Sequence, residues 1–211
     1  MMIGKWIRSL LILSLPLLLL SLPPSSLQAL SPGEEIPPQI FVGQKIPNCN
    51  LLDMEVALEH CATQLYTLLQ DASKTVLIFY RGYWSSDCRR QFADLRARFS
   101  EFQEKGAQIV GVSVDDPLRV AEFGRSLEKE YLLQANRCAE GQLIKLPLHL
   151  VSDNTREATR KLGIGEEDPR LGLIARPTTI LLDREGKIHW LYVGKSPNDH
   201  PSTDEILQRL T

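Results

Sequence analysis

The distribution of apolar and polar residues after position 73 predicts a series of buried strands separated by helices. Three continuous, β-rich apolar runs are typical of strands covered on both faces: "TVLIFY" at 75–80, "AQIVGVSVDD" at 107–116 and "LPLHLVSD" at 146–153. A fourth region, "PTTILLDREGKIHWLYVG" at 177–194, predicts a hairpin that turns at "DREG". The pattern therefore predicts three strands followed by a strand pair.

Helical periodicity fills the intervals between these strands. In "SSDCRRQFADLRARFSEFQEKG", five apolar residues recur at spacings of four, three, four and three, which places them on one helix face: Cys88, Phe92, Leu95, Phe99 and Phe102. We expect Ser85 or Ser86 to cap this helix and Gly106 to end it. Further helices are predicted at 55–70, at 117–131 after an Asp116 cap, at 154–163 and at 202–210.

This order of elements predicts an α/β sandwich with a central mixed β-sheet flanked by helices. The first crossovers should be parallel and right-handed, and the closing hairpin antiparallel. Sites in such sheets lie where strand ends meet helix starts. The turn from Tyr80 to Cys88, "YRGYWSSDC", has that position.

The first 40 residues differ in character from the rest. Met1 to Ala29 reads as a signal peptide, because Lys5 and Arg8 precede an apolar run at 10–22 and "LQA" offers a small-residue cleavage site. Residues 30–40 are a Pro-rich spacer, and 41–211 form one domain. We expect an exported protein, periplasmic or secreted; the alternative is an uncleaved leader that tethers the domain to a membrane.

Charge and motif content exclude several classes of function. The net charge of −2 supplies no basic field for nucleic acid. The sequence has no C-x-x-C pair, zinc-type cluster, H-E-x-x-H or P-loop, so neither a metal nor a cofactor is predicted. The four histidines show no ligand spacing: His60, His149, His189 and His200.

Several segments together resemble the thioredoxin fold, and more closely its alkyl hydroperoxide reductase and thiol-specific antioxidant branch, the peroxiredoxins and redoxins. They are "VLIFYRGYW", "GAQIVGVSVDD", "PLHLVSD", "ARPTTILLDREGKI" and "PSTDEILQRL". The likeness runs from Val42 to the end of the chain. It implies a peroxide substrate and a thiol reductant, either a thioredoxin-like protein or a small thiol.

The resemblance also assigns roles to residues. Dithiol redoxins carry W-C-P-x-C where this chain reads "WSSDC", so the first cysteine and the proline are absent. Peroxiredoxins have a proline, then Thr or Ser four residues later, then the peroxidatic cysteine. Here Ser85 and Cys88 match, while Arg81 replaces the proline. Arg176 stands where peroxiredoxins place an arginine against the cysteine, and Pro177 matches the cis-proline of thioredoxins. The resemblance thus implies three catalytic residues, Cys88, Ser85 and Arg176, and a pocket of Tyr80, Arg81, Trp84, Pro177 and Thr178.

The remaining cysteines leave alternatives open. Cys61 and Cys138 are candidates for a resolving thiol, and equally for a structural disulfide with each other in an oxidising compartment. Cys49 is expected to face the core. Cys88 itself is either a reactive thiol or a buried core residue, since it shares the apolar stripe.

Two functions therefore follow from the sequence. The first is a thiol oxidoreductase that reduces peroxides through the single cysteine of an S-x-x-C site. The alternative is a redoxin fold that has lost its chemistry and acts as a binding or folding-assistance module. The reactivity of Cys88 separates them.

Overall fold

The computed structural model describes residues 38–53, 62–134 and 148–210. A seven-stranded mixed sheet has the order β2-β1-β5-β4-β3-β8-β9. Its strands are β1 (Asn50–Asp53), β2 (Ala62–Gln64), β3 (Lys74–Phe79), β4 (Ala107–Ser113), β5 (Leu148–Ser152), β8 (Thr178–Asp183) and β9 (Ile188–Val193). Strands β3, β4 and β5 run parallel, and β8 and β9 form the antiparallel hairpin. The predicted fold class is confirmed.

Helices cover both faces of the sheet. They are α1 (Leu65–Leu68), α2 (Ser86–Ala97), α3 (Phe99–Glu104), α4 (Pro117–Gln134), α5 (Glu157–Lys161) and α6 (Thr203–Arg209). Alternate residues of β3 enter two different apolar clusters: Val76 and Ile78 pack with α2, α4 and α6, while Leu77 and Phe79 pack with α1 and α5. Because both faces of β3 are buried, its run of apolar residues is continuous rather than alternating. Among the described residues, no helix combines the length and apolar character needed to span a membrane.

Local signals in the sequence correctly predict most helix ends. Ser85 caps α2, Asp116 Oδ1 accepts from the backbone N–H groups of Leu118 and Arg119 at the start of α4, and Ser202 caps α6. Gly163 follows α5 with φ of 64°, a conformation that glycine adopts without strain.

The structure corrects two helix predictions. The predicted single helix to Gly106 is two helices that meet at Arg98, whose guanidinium binds Glu101 and also contacts Asp204 of α6. The predicted helix at 55–70 begins only at Leu65, because residues 62–64 form the edge strand β2 against β1. The earlier part of that prediction, 55–61, lies outside the described residues.

A second, small sheet was not predicted. Strands β6 (Gly165–Asp168) and β7 (Gly172–Ala175) form a separate antiparallel hairpin. This hairpin, called here the β6–β7 hairpin, follows α5 and leads directly into Arg176 at the start of β8. It therefore stands next to the sheet edge where the candidate site residues were predicted.

Candidate active site

The turn from Tyr80 to Cys88 connects the carboxyl end of β3 to the start of α2. The backbone N–H of Tyr80 still donates to the carbonyl of Val112 on β4, at 3.0 Å, which continues the strand pairing by one residue. The chain then turns through a hydrogen bond from Ser85 N–H to the Gly82 carbonyl, at 3.1 Å. The predicted meeting of a strand end and a helix start is confirmed.

Ser85 and Cys88 form the first turn of α2. The Ser85 hydroxyl oxygen accepts from the backbone N–H of Cys88 at 3.2 Å, so Ser85 is the N-cap that the sequence predicted. The Cys88 thiol lies at the amino end of the helix, where the helix dipole favours a negative charge. The S-x-x-C spacing therefore brings a hydroxyl and a thiol together at a position suited to a thiolate.

Burial and hydrogen bonding act on the Cys88 thiol in opposite directions. Only 3% of Cys88 is exposed, and this burial raises the pKa of the thiol above its ordinary value. The Ser85 hydroxyl, the backbone at Arg81 and Gly82 and the positive charge of Arg81 all lower the pKa of Cys88, but less than burial raises it. The resting group is therefore a thiol in surroundings prepared to hold a thiolate.

Arg81 is the predicted pocket residue most closely tied to Cys88. Its guanidinium donates from Nε to Glu166 Oε1 at 3.0 Å, and its Nη2 lies 4.0 Å from Asp168 Oδ2. The same guanidinium lies 5.2 Å from the centroid of the Trp84 ring, a cation–π distance. Arg81, at the position where peroxiredoxins carry a proline, thus has its guanidinium held by three neighbours, and its charge lowers the pKa of Cys88.

Arg176, Pro177 and Thr178 lie at the neighbouring strand start. Thr178 pairs with Phe79 in the antiparallel ladder, so the predicted second half of the site does stand beside the end of β3. Arg176 is 5% exposed, and its Nη2 donates to the Gly163 carbonyl at 3.0 Å. The Thr178 hydroxyl donates to the Arg176 carbonyl at 3.0 Å. The action of Arg176 on Cys88 stays a prediction.

One expectation at this strand start is wrong. The peptide bond between Arg176 and Pro177 is trans, not cis. The Pro177 carbonyl accepts from the N–H of Gly194, which directly follows β9, at 2.7 Å. Trans is the ordinary state of an X–Pro bond. The match of Pro177 to the cis-proline position of thioredoxins therefore did not predict the conformation of this peptide bond.

The carboxylate of Asp115, which the sequence analysis did not single out, contacts the backbone of the turn. Asp115 Oδ2 accepts from the backbone N–H of Tyr83 and from the Ser113 hydroxyl, each at 2.7 Å, and burial raises its pKa. The fully buried Tyr80 has its pKa raised first by burial and then by Asp115 and Cys88. Asp115 lies two residues after the carboxyl end of the buried parallel strand β4, which is the signal that could have identified it.

Aromatic side chains form the outer wall of the turn. Trp84, 40% exposed, and Tyr83 line a cavity of about 180 Å³ together with residues of α2 and α4, namely Arg89, Glu122, Phe123 and Ser126. Arg89 Nη2 donates to the Tyr83 carbonyl at 3.3 Å, and its guanidinium also contacts Ser126. The turn is therefore attached to α4 as well as to the sheet.

The described cysteines differ in surroundings but both are free thiols. Cys49 is buried as predicted, lies in the cluster on the opposite face of the sheet from Cys88, and has its pKa raised to about 11, mainly by burial. The two candidates for a resolving thiol, Cys61 and Cys138, lie outside the described residues. Within 38–53, 62–134 and 148–210, no group of three or more His, Cys, Asp or Glu side chains is placed to hold a metal ion.

Loss of the cap gives a first test of the site. Ser85→Ala should destabilise the domain by about 1 kcal/mol, because it removes the N-cap hydrogen bond. It should also slow the alkylation of Cys88 at pH 7, because the hydroxyl that lowers the pKa of the thiol is gone. Urea unfolding and mass-spectrometric alkylation measure the two effects. Ser86→Ala, an exposed change one residue later, is the control and should alter neither by a comparable amount.

The mixed sheet, with a capped thiol at the start of the helix after its central strand, defines a thiol protein of thioredoxin-like fold. The AhpC/TSA family model matches residues 42–191. The chain belongs to that family.

Individual relatives agree with the family assignment. Peroxiredoxin Q of Oryza sativa subsp. japonica, a chloroplastic protein, is 27% identical over 64% of this chain and 54% of its own length. The 1-Cys peroxiredoxin of Medicago truncatula is 25% identical over 81% of this chain and 72% of its own. The chain thus spans about half the length of the peroxiredoxin Q relatives that it matches.

A solved structure shows the same fold. Reduced Prx3 from Vibrio vulnificus, in complex with H2O2, superposes with a TM-score of 0.65 at 20% identity, covering 82% of this chain and 99% of that one.

Proposed function

We propose that this chain is a thiol-dependent peroxidase in which Cys88 is the nucleophile. The observation that carries the proposal is the position of the Cys88 thiol, in the first turn of α2. There the Ser85 hydroxyl, the backbone of Arg81 and Gly82 and the Arg81 charge all favour its thiolate. These are the groups that a sulfur needs when it attacks an oxygen and negative charge develops on the leaving group. The family assignment supports the same chemistry.

The proposed reaction has two stages. The Cys88 thiol gives up its proton, its sulfur attacks one peroxide oxygen, and the O–O bond breaks; the leaving oxygen takes a proton and departs as water or alcohol. Cys88 is then a sulfenic acid. A thiol attacks its sulfur, releases water and forms a disulfide, and a second thiol reduces that disulfide and regenerates Cys88. The first of these thiols belongs to Cys61 or Cys138, to a thioredoxin-like protein or to a small molecule.

Oxidation of the full-length chain at a series of pH values tests this function. Hydrogen peroxide should convert Cys88 into a sulfenic acid, detected by dimedone labelling and mass spectrometry, while Cys49 stays unlabelled. Because the pKa of Cys88 is raised, the thiolate fraction should increase about tenfold from pH 7 to pH 8. The labelling rate should rise by the same factor. A rate that is flat over this interval would contradict the assignment of a protonated resting thiol.

A second function is favoured by one specific observation, the 3% exposure of Cys88. A redoxin fold whose thiol no longer reacts would act as a binding or folding-assistance module, with the wall around Trp84 as its surface. Alkylation of the folded domain separates the two functions. A Cys88 that reacts only after unfolding supports the module, and a Cys88 that reacts in the folded state supports the peroxidase.

We also propose that the protein is exported, on the basis of the leader sequence at Met1 to Ala29. Edman sequencing of the protein from a producing cell tests this. A mature start at Leu30 supports export to the periplasm or the medium. A start at Met1 in the membrane fraction supports the tethered form instead.

A further inference from the structure

The β6–β7 hairpin carries two carboxylates that contact the cation beside Cys88. In β6, Glu166 Oε1 accepts from Arg81 Nε at 3.0 Å, and Asp168 Oδ2 lies 4.0 Å from Arg81 Nη2. Glu167, between them in the strand, is exposed. Because side chains alternate along a strand, Glu166 and Asp168 face the site and Glu167 faces the solvent. The hairpin thus presents only one of its two faces to the turn.

The contacts of Arg81 are better shielded from water than the exposed ion pair of α2. The Arg81 side chain is 15% exposed, and those of Glu166 and Asp168 are 32% and 19% exposed, whereas Arg90, which pairs with Asp87 in α2, is 73% exposed. Exposed pairs contribute little, because water screens them and the long side chains lose freedom. The contacts of Arg81 are partly shielded from water, so water screens the charges of Arg81 and its partners less.

The hairpin is hydrogen-bonded to the rest of the domain at its base and along β7. Its first pair, Gly165 with Ala175, lies directly before Arg176, and the Arg176 N–H donates to the Ile164 carbonyl at 2.8 Å. Farther out, Arg156 Nε donates to the Leu173 carbonyl at 2.9 Å. These bonds attach the hairpin, and with it the carboxylates of β6, to the domain.

We propose that Glu166 and Asp168 are positioning residues that set the reactivity of Cys88 through Arg81. They hold the guanidinium beside the turn, and their negative charge offsets part of the positive charge that Arg81 presents to the sulfur. This inference deepens the proposed function, because the thiol it concerns is the nucleophile named there.

Charge arithmetic gives the direction of each effect. Glu166→Gln keeps an oxygen that accepts from Arg81 Nε but removes a negative charge, so the Arg81 charge acts on Cys88 with less opposition and the thiolate is favoured. Arg81→Met removes the positive charge and keeps the length of the side chain, so the thiol is favoured. Both variants leave in place the other titratable or charged side chains around the turn, among them Tyr80, Tyr83, Asp87, Arg89, Asp115, Arg119 and Arg176.

The test is the pH profile of Cys88 alkylation by iodoacetamide in the full-length chain, read by mass spectrometry of the Cys88 peptide. Glu166→Gln should raise the rate at pH 7 about threefold and move the profile about half a pH unit toward acid. Arg81→Met should move it toward alkali by a similar amount. Glu167→Gln removes the same charge from the opposite face of the same strand, and its profile should coincide with that of the unchanged protein.

The inference is overturned by coincident profiles for Glu166→Gln and Glu167→Gln, or by an Arg81→Met profile that does not move. A Glu166→Gln protein that reacts more slowly would also overturn the charge-offset role. Since alkylation needs no peroxide turnover, this result is separate from the fate of the proposed function. An inactive protein whose Glu166→Gln profile still moves toward acid would refute the peroxidase and retain the hairpin's role.

Discussion

Peroxide consumption by the full-length chain should fall by more than about 100-fold when Cys88 is replaced by serine. The hydroxyl of serine is not ionised near pH 7 and does not attack the O–O bond, whereas the thiol does so through its thiolate. The change is nearly isosteric, so the fold around the buried Cys88 should remain intact. A peroxide-consumption assay with an excess of dithiothreitol as reductant measures the effect without dependence on the natural electron donor.

The other described free cysteine supplies the matched control. Cys49 is 2% exposed and is also a free thiol, but it lies in the core cluster on the opposite face of the sheet. Cys49→Ser places the same hydroxyl in an equally buried position, so any general cost of a buried serine appears in both variants. Peroxide consumption should stay within about twofold of the unchanged protein in Cys49→Ser. Equal losses in the two variants, or no loss in Cys88→Ser, would refute the assignment of Cys88 as the nucleophile.

The parts of the site that are local in sequence could be predicted. Ser85 and Cys88 are three residues apart, so the N-cap geometry follows from one turn of helix. The hairpin of β8 and β9, which begins at Thr178, follows from two apolar runs separated by the short turn "DREG". These features depend on periodicity and capping, and the sequence contains both signals directly.

The parts that depend on distant contacts could not be predicted. The β6–β7 hairpin has only four residues in each strand, and β6 reads "GEED", which has no apolar alternation to mark it. Its link to Arg81 joins residues 85 positions apart. At the break between α2 and α3, Arg98 likewise contacts Asp204 from the other end of the chain. Single-sequence periodicity does not report such tertiary contacts.

The apolar spacing along α2 is compatible with both interpretations of Cys88, a buried core residue and a reactive thiol. The spacing from Cys88 to Phe92 and Leu95 correctly placed the cysteine on the apolar face of α2. The same face carries the thiol into a site of hydrogen-bond donors that favour its charged form. Periodicity reports the direction of a side chain, while reactivity depends on the polar groups that meet it there. The first two turns of α2 therefore contribute both to the apolar core and to the candidate site.

The largest change in stability is expected for a substitution in the core beneath this turn. Phe92→Ala should lower the free energy of unfolding by about 3–5 kcal/mol, because it removes a fully buried ring and leaves a cavity under the turn. The Phe92 ring stands edge-on to Tyr80 at 5.2 Å and to Phe123 at 5.6 Å between ring centroids. Such aromatic pairs add about 0.5–1.5 kcal/mol beyond the area that they bury. Urea unfolding followed by circular dichroism measures the loss.

Phe99, only partly buried against the same cluster, is the control for this prediction. Phe99→Ala removes the same atoms but opens less of a cavity, because water already reaches part of the ring. It should therefore cost less than half as much as Phe92→Ala. Since Phe92 lies four residues after Cys88 and contacts Tyr80 at the start of the turn, its loss should also speed the alkylation of Cys88 in urea below the unfolding transition. Equal destabilisation by the two variants would show that the aromatic cluster under the turn is not what supports α2. An unchanged alkylation rate in Phe92→Ala would show that access to the thiol is controlled from the outer wall around Trp84, and not from the core.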